Sequence, residues 1–397
     1  MIFFLARYKK YLLIIFVYLI CFFAFTNFMK KQVPDTFFVE NHDEEISLNG
    51  ICFLKIKIKP KFNKSVLASA NENSNLKAKA KIFNCIPIKN VNLEVKKRNI
   101  AIPCGTPFGI KIFTEGVMVV DVEEKLNKSI KCGDIITKIN NQNINSSEEF
   151  TEFIENSKGE ILNITLERKN ITFCVETKAS KCENTYKIGL WVIDGSAGLG
   201  TITFILHDTK IFTGLGHGIK NKYTGSILPI GNGKIYRVFI SSIKKSTKNN
   251  VGELKGSIIN NNMIGELKIN QENGVYGYFQ SSSYWPENSK IMPIAFKQEV
   301  KTGWAELIFN QEKYKVYIRK ITYGNYQNIF IEIMDPRLLK EYGGILRGMS
   351  GCPIIQDDRV VGVLTGALNS DPALGFGSFA ENLAINCEKL QMYYPGR

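Results

Sequence analysis

The stretch "GGILRGMSGCPIIQDDRVVGVLTG", residues 343–366, decides how the C-terminal half of the chain is interpreted. Its serine, Ser350, has Gly348 two positions before it and Gly351 directly after it. Glycine weakens strands and adds no side chain to a core, so this spacing is typical of a tight loop. Such a loop either holds its serine as an ordinary β-turn residue or presents it for chemistry.

A serine that acts as a nucleophile needs two kinds of neighbouring group. A neighbouring base must take its proton, and donors must meet the oxyanion that forms during acyl transfer. Glycine lets main-chain N–H groups approach that point closely. A G-x-S-G-x-P loop with donors from Gly348 and Ser350 is the arrangement of chymotrypsin-like serine proteases, with Ser350 as the nucleophile.

Three histidines are available as the base. His42 lies beside "DEE" in a polar segment, and His207 lies in "FILHDTKIF", which is typical of a strand, a turn and a strand. His217 differs because "GLGHGI" surrounds it with glycines at the end of a strand pattern. Its residue pattern fits a turn residue and a catalytic base equally well.

The acid that would orient this base is left open by the residues alone. Asp335 ends a strand pattern in "FIEIMDPRLLKEYGG", and an aspartate before proline is also a common helix N-cap. The order His–Asp–Ser along the chain favours Asp335. The competing aspartates in turn-like contexts are Asp194, Asp208, Asp357, Asp358 and Asp371.

The last 210 or so residues consist of short apolar runs broken by glycine, such as "KIGLWVIDG", "TKIFTGLGHGI" and "VVGVLTG". Helical periodicity appears only near the C-terminus, in "FAENLAINCEKL". Many short strands with turn signals indicate a β-barrel or sandwich. We therefore predict a β-rich catalytic domain over residues 185–397.

A compact α+β unit is predicted over residues 101–178. Strand patterns, the turn-and-strand "KCGDIITKINNQNI" and the helical segment "SSEEFTEFIEN" follow in an order that resembles a PDZ domain. Ser146 and Glu149 are spaced as a capping box for that helix. A PDZ domain binds an extended peptide along a strand, and the sequence predicts that strand at Phe108, Gly109, Ile110, Lys111 and Ile112.

The N-terminal region predicts a membrane anchor. The eighteen residues "YLLIIFVYLICFFAFTNF", residues 11–28, carry no charge and are just long enough to cross a bilayer. The basic residues before them predict a cytoplasmic N-terminus, with residues 1–31 as tail and anchor and the bulk of the chain outside the cytoplasm. Residues 32–100 are predicted as a polar linker, "KKQVPDTFFVENHDEE", followed by a small β-rich stem in which "NENSNLKAKAK" is loop and edge.

Charge and cysteine content narrow the function classes. The net charge is +14, but residues 1–100 hold 17 Lys and Arg against 7 Asp and Glu, so the remaining chain is nearly neutral. Without a basic folded face or a matching motif, nucleic-acid binding is not expected. The nine cysteines form no C-x-x-C or His-spaced pair, so neither a metal site nor a cofactor is predicted, and most cysteines are expected to be buried.

Several segments together resemble the stage IV sporulation protein B family of PDZ-containing serine peptidases. They are, in order, "IPCGTPFGIKI", "KIGLWVIDGSAGLGTITF", "GLGHGI", "GELKG" and "DPRLLKEYGGILRGMSGCPI". The resemblance implies a C-terminal chymotrypsin-like double β-barrel and a catalytic triad of His217, Asp335 and Ser350. Cys352 departs from the family pattern, which commonly has a second serine there.

The resemblance also implies a place for the protein. Members are membrane-anchored and act between the two membranes of the forespore. They cleave themselves and a regulatory membrane protein that restrains an intramembrane metalloprotease, which then processes a late sporulation sigma factor. Two alternatives are a catalytically inactive PDZ adaptor that holds membrane partners together and, more weakly, a cysteine enzyme that uses Cys352.

Overall fold

The structure, a computed structural model, describes residues 2–40, 46–49, 55–60, 75–82, 86–123, 129–169, 171–280, 290–324 and 327–394. Strands dominate it. His42 lies outside the described residues.

The N-terminal part is a long helix joined to a small sheet. The elements are α1 (Ile2–Gln32), β1 (Thr36–Val39), β2 (Ile46–Asn49), β3 (Lys55–Pro60), β4 (Asn75–Ile82) and β5 (Ile86–Val95). One helix segment, Tyr11–Gln32, is long and apolar enough to cross a membrane. The five strands form one sheet in the order β1-β5-β4-β3-β2, which we call the stem.

The stem differs from its sequence prediction in two places. Residues expected to be a polar linker form β1, which pairs with β5 in parallel and buries Phe37 completely. Of the segment expected as loop and edge, residues 75–81 belong to β4, which lies between β5 and β3. Alternating lysines in β4 face outward, while Ala78 and Ala80 are buried. A segment with a charged sequence therefore forms a strand in the middle of the sheet, paired on both edges.

The stem is tied to both of its neighbours. Met29 and Val33, at the end of α1, are buried in the stem core. On the other side, Arg98 donates to both carboxylate oxygens of Glu299 at 2.6 and 3.0 Å, and to Glu40 of the stem at 2.9 Å. These contacts join the end of the helix, the stem and the C-terminal part of the chain.

The next part of the chain is built on two long strands, β6 (Ile100–Val122) and β13 (Leu190–Leu206), that run through two structural units. The elements between them are β7 (Ile135–Ile139), β8 (Gln142–Asn143), α2 (Ser147–Asn156), β9 (Ile161–Arg168), β10 (Ile171–Lys178), β11 (Ser180–Cys182) and β12 (Thr185–Lys187). Strands β6 and β13 pair antiparallel along most of their length. The PDZ fold is built at the far end of this pair, around a core that includes Val117, Ile136, Phe150 and Leu166.

Helix α2 begins as its sequence predicts. Ser146 is the N-cap, and its side chain accepts from the backbone N–H of Glu149 at 3.1 Å. The Glu149 carboxylate reaches back to the N–H of Asn145 at 2.8 Å, one residue before the cap. Phe150 and Ile154 are the buried face of the helix.

The other end of the β6–β13 pair, which includes the first residues of β6 and the last residues of β13, is part of a ring of six strands. The added strands are β14 (Ile211–Gly214), β15 (Asn232–Lys244), β16 (Glu253–Gln271) and β17 (Gly274–Phe279). Pairings run β6-β13-β14-β17-β16-β15, and β15 also pairs with β6, so the hydrogen-bonded ring returns to its start. We call it the first ring. The PDZ domain is therefore an insertion between two strands of the first ring.

The remaining strands form a closed barrel. Its elements and neighbours are β18 (Met292–Pro293), a 3-10 helix (Lys297–Glu299), β19 (Gly303–Phe309), β20 (Glu312–Ile321), β21 (Ile329–Ile333), α3 (Pro336–Tyr342), β22 (Pro353–Gln356), β23 (Arg359–Ala367), β24 (Leu374–Phe379) and α4 (Ala380–Tyr393). The barrel order is β19-β20-β21-β24-β23-β22. Helix α4, predicted from its periodicity, packs where the barrel meets the first ring, in a cluster with Phe204, Tyr276 and Val363.

The predicted peptide-binding strand, residues 108–112, requires correction. Gly109 and Ile110 of β6 pair with Leu199 and Gly198 of β13 on one edge. On the other edge Ile110 pairs with Ile235 of β15. Phe108, Ile110 and Ile112 are buried in the core of the first ring. Since both edges are occupied, no peptide can be added along this segment.

The cysteine prediction is also wrong in part. Of the seven described cysteines, Cys104, Cys352 and Cys387 are buried, whereas the other four are exposed. All seven are free thiols.

Candidate active site

Ser350 lies on a tight loop between α3 and β22. The chain turns through Gly348 at φ +102° and Gly351 at φ +106°, which favour glycine. Between them Met349 is fully buried and anchors the loop in the barrel core. Ser350 itself is half-buried, so part of the residue is exposed to solvent. The glycine pattern therefore does present this serine at a surface.

Gly351 is required by a close approach as well as by its backbone conformation. A Cβ at this position would lie 1.9 Å from the carbonyl oxygen of Thr201 and 2.8 Å from the nitrogen of Leu215. Its N–H donates to Leu364 O at 2.8 Å. The loop therefore lies directly against the first ring.

The loop leaves two N–H groups available. Within the described residues, the backbone N–H groups of Gly348 and Ser350 donate no hydrogen bond, whereas those of Met349, Gly351 and Cys352 each have a carbonyl partner. An unpaired N–H group of the serine itself, together with that of a glycine two residues before it, is what an oxyanion site needs.

His217 lies just beyond the end of β14, on an exposed turn of the first ring. Leu215 and Gly216, at φ +67° and +66°, redirect the chain before it. Its Nδ1 lies 3.0 Å from the carbonyl oxygen of Gly218. A carbonyl can only accept, so this contact requires the proton on Nδ1 and leaves Nε2 as an acceptor. That is the tautomer a general base needs.

Asn270 fixes the turn that carries His217, and the sequence interpretation missed it. Its side chain accepts from Ile219 N and donates to Ile219 O and Leu228 O, each at 2.8 Å. Gly218 N also donates to Glu272 O at 3.2 Å. The available signal was an asparagine beside "QENG" at a strand end, which resembles an ordinary turn.

The segments of His217 and Ser350 meet at one residue. Leu215 N donates to Thr201 O at 3.1 Å, and Thr201 N donates to Ser350 O at 3.1 Å. The structure thus brings the two segments that carry the predicted base and the predicted nucleophile to the junction between the first ring and the barrel. Among the described residues no hydrogen bond joins the side chains of His217 and Ser350.

Asp335 has a different position, at the N-terminus of α3. Its Oδ1 accepts from Arg337 N at 2.9 Å and from Arg337 Nε at 3.2 Å. Its Oδ2 accepts from Lys315 N and from Arg337 Nη2, both at 3.1 Å. Among the described residues no hydrogen bond joins Asp335 to His217. The local structure is the helix cap that the Asp-Pro pair predicts, followed by Pro336 in the first turn.

Arg337 also sets the charge of this carboxylate. By hydrogen bonding to it, Arg337 lowers the pKa of Asp335 to about 2. A carboxylate whose pKa is lower in the folded state contributes stability above its unfolded pKa. That contribution is complete above about pH 4 and is lost as the pH falls toward 2. Asp335 is therefore ionised at any pH at which the enzyme would work.

Asp335→Asn tests the structural role of the four hydrogen bonds that the Asp335 carboxylate accepts. All four partners are donors, so an asparagine amide group would face two donors in either orientation. We expect a loss of about 1–3 kcal/mol, which lowers the thermal midpoint by roughly 2–10 °C. Asp371→Asn is the control, because the exposed Asp371 side chain accepts from Ala373 N through one oxygen, which asparagine retains.

Cleavage per folded molecule, measured on the same variant, tests the triad assignment. If Asp335 is the triad acid, cleavage should fall by about four orders of magnitude. A rate within severalfold of the parent would contradict that assignment and leave Gly218 O as the group that orients His217.

Cys352 and His207 are both poor catalytic candidates. Cys352 is fully buried, and burial raises the pKa of its thiol, which disfavours the reactive thiolate. His207 lies on an exposed turn with its Nδ1 3.0 Å from Asp208. The cysteine-enzyme alternative is therefore not supported.

A second candidate site lies in the PDZ domain, between α2 and the first residues of β13. A cavity of about 760 Å³ is lined there by Phe150 and Ile154 of the helix and by Ile188, Gly189 and Leu190. Residues 190–193 pair with β6 on one edge only, and no other described strand covers the opposite edge. This strand has an unpaired edge beside a helix and a cavity, whereas residues 108–112 are paired on both edges.

Comparison with known families gives the catalytic domain its identity. Residues 184–384, just over half of the chain, match the SpoIVB peptidase S55 family. The chain belongs to the SpoIVB peptidase S55 family. This membership makes it a serine peptidase, in agreement with the accessible Ser350. Residues 91–178 match the PDZ domain family, so this S55 peptidase also carries a PDZ domain.

Solved structures provide only distant likeness for this S55 peptidase. The PDZ domain of the SdrC-like protein from Listeria monocytogenes covers 20% of the chain and 90% of its own length, at 23% identity and a TM-score of 0.19. The inactive form of Rv3671c protease covers 48% of the chain and 83% of its own length, at 16% identity and a TM-score of 0.25. No curated protein matches the chain.

Proposed function

We propose that this S55 peptidase is an endopeptidase in which Ser350 is the nucleophile and His217 the general base. The observation that carries the proposal is the junction at Thr201, which holds the segments of both residues. The glycine loop leaves Ser350 accessible, and the Gly218 carbonyl sets the tautomer of His217.

The reaction would proceed by acyl transfer. Nε2 of His217 takes the hydroxyl proton as Oγ of Ser350 attacks the peptide carbonyl carbon. The N–H groups of Gly348 and Ser350 stabilise the oxyanion. His217 then gives its proton to the leaving amine, and the C–N bond breaks. Water, activated by the same histidine, hydrolyses the acyl-enzyme and restores the serine.

Asp335 enters this proposal through the family resemblance. To accept from His217, its carboxylate has to release Arg337 or Lys315, since both oxygens are occupied. The cleavage measurement on Asp335→Asn given above decides whether this exchange belongs to the reaction.

The inactive-adaptor alternative makes a different prediction about reactivity. A serine-reactive fluorophosphonate should label the full chain in detergent if Ser350 is activated, and should not label an adaptor. The full chain is used because Met29 of α1 and Val33, directly after the helix, are part of the stem core.

We further propose that the cavity beside α2 is the peptide-binding groove of the PDZ domain. An extended peptide would pair with the open edge of residues 190–193 and place an apolar terminal side chain against Phe150 and Ile154. Gly189, at φ +73°, turns the chain at the end of the groove.

Thr151→Arg tests this groove. Thr151 is exposed and lines the cavity, so a long charged side chain there should obstruct the peptide. We expect binding of a fluorescent ten-residue peptide with a free C-terminal valine to weaken at least tenfold, measured by anisotropy. Glu152→Arg is the control, because Glu152 lies on the same helix but lines a different cavity. Equal binding by Thr151→Arg and the parent would place the peptide elsewhere.

The biological setting is proposed from the family resemblance. The apolar helix would anchor the chain with its N-terminus in the cytoplasm and the peptidase outside it, between the forespore membranes. The substrates would be the enzyme itself and a regulatory membrane protein that restrains an intramembrane metalloprotease, whose release activates a late sporulation sigma factor. Mass spectrometry of the purified full chain would locate self-cleavage sites, and an intact chain would count against self-processing.

A further inference from the structure

Thr201, on β13 of the first ring, contacts the serine loop with its backbone and its side chain. It is fully buried. Its N–H donates to Ser350 O at 3.1 Å, and its hydroxyl donates to Gly348 O at 2.7 Å. Its own carbonyl accepts from Leu215 N, two residues before His217.

The hydroxyl contact bears on the oxyanion site. The peptide group before Gly348 is held through its carbonyl, because Arg347 O accepts from Leu254 N at 3.0 Å. The peptide group after Gly348 is held inside the loop by Met349 N, which donates to Leu346 O at 3.1 Å. It is joined to the first ring only through the hydroxyl of Thr201, since within the described residues Gly348 O has no other donor. Glycine at φ +102° resists rotation little by itself.

A second threonine on the same strand shows that burial alone does not explain this contact. Thr203 is also fully buried, yet within the described residues its hydroxyl has no hydrogen-bond partner. Burying a hydroxyl without a partner costs free energy. Of these two threonines, therefore, only Thr201 uses its hydroxyl to hold a neighbouring segment.

We propose that Thr201 is a positioning residue of the active site, whose hydroxyl fixes Gly348 so that the Gly348 N–H points at the oxyanion. Its backbone at the same time sets the spacing between the His217 segment and Ser350. Thr201 acts through these residues and does not touch the substrate. The inference rests on the proposed function, because it assumes that Ser350 is the nucleophile.

Three variants of the full chain in detergent test the inference. Thr201→Val removes the hydroxyl at nearly constant shape, Thr201→Ser keeps a hydroxyl, and Thr203→Val removes the unpartnered one. The readouts are the rate of fluorophosphonate labelling per folded molecule, kcat and KM on an unfolded protein substrate, and the thermal midpoint.

We expect Thr201→Val to lower the labelling rate and kcat by about ten- to a hundredfold, because small displacements of an oxyanion donor have effects of this size. KM should change little, because Thr201 lies beneath the loop. Thr201→Ser should recover most of the rate, and Thr203→Val should behave like the parent.

Parent-like labelling by Thr201→Val would overturn the inference, and so would an equal loss in Thr203→Val, which would indicate general sensitivity of the strand. If Thr201→Val does not fold, Thr201→Ala replaces it with the same expected result. Absence of labelling in the parent chain would instead contradict the proposed function, so the two failures are distinguishable.

Discussion

Ser350→Ala is expected to abolish both self-cleavage and cleavage of an unfolded protein substrate. The substitution deletes the nucleophile, and in a serine protease this lowers kcat by about six orders of magnitude. The fold should be unaffected, because within the described residues the Ser350 hydroxyl has no hydrogen-bond partner and the side chain is half-buried. The thermal midpoint of the variant should therefore equal that of the parent.

Ser370→Ala is the matched control for this experiment. Ser370 is exposed on a turn beyond the serine loop, so its loss should leave cleavage unchanged. Cleavage by Ser350→Ala at the rate shown by Ser370→Ala and the parent would reject Ser350 as the nucleophile.

His217→Ala is expected to be nearly as damaging as Ser350→Ala, and the double variant little worse than either. The two residues act in one proton transfer, so the loss of one leaves the other without a function. Because His217 is exposed and its side chain hydrogen-bonds only to Gly218 O among the described residues, the fold should again be retained. Cleavage rates of the single and double variants, measured side by side, check this.

His207→Ala is the control, since His207 lies on an exposed turn and pairs with Asp208. It should retain most activity. Losses that multiplied in the His217 and Ser350 double variant would show that the two residues do not share one mechanism.

The serine loop could be predicted from the sequence because its signals are local. Gly348 and Gly351 report positive φ angles that glycine favours, and the helix cap at Asp335 follows from the Asp-Pro pair. Whether Asp335 also reaches His217 depends on the distance between segments more than 100 residues apart, which no local pattern records.

The PDZ groove was misplaced for a related reason. Residues 108–112 do form a strand, as their alternation predicts, but alternation does not specify which strands lie on either side. The pairing with β13 and β15 is non-local and converts a predicted peptide edge into the interior of the first ring. In contrast, "IGLW" at residues 188–191 looks like the first strand of the peptidase, although it lines the open cavity.

Phe37 and Thr201 are two further residues whose surroundings a local sequence pattern could not predict. Phe37 lies in a segment with many charged residues, and it is buried in the stem core because its strand pairs in parallel with a strand that is distant in the sequence. Thr201 and Thr203 are indistinguishable in the pattern "GLGTITFIL", yet the hydroxyl of one binds the serine loop and that of the other has no partner among the described residues.

The most direct test of the central claim is the site of fluorophosphonate attachment in the full chain, identified by mass spectrometry of its peptides. The claim is that Ser350 is a nucleophile activated by His217. A single adduct on Ser350 in the parent chain, absent from His217→Ala at equal reagent and time, is the predicted result. An unlabelled parent chain, or an adduct on another residue, would contradict the claim.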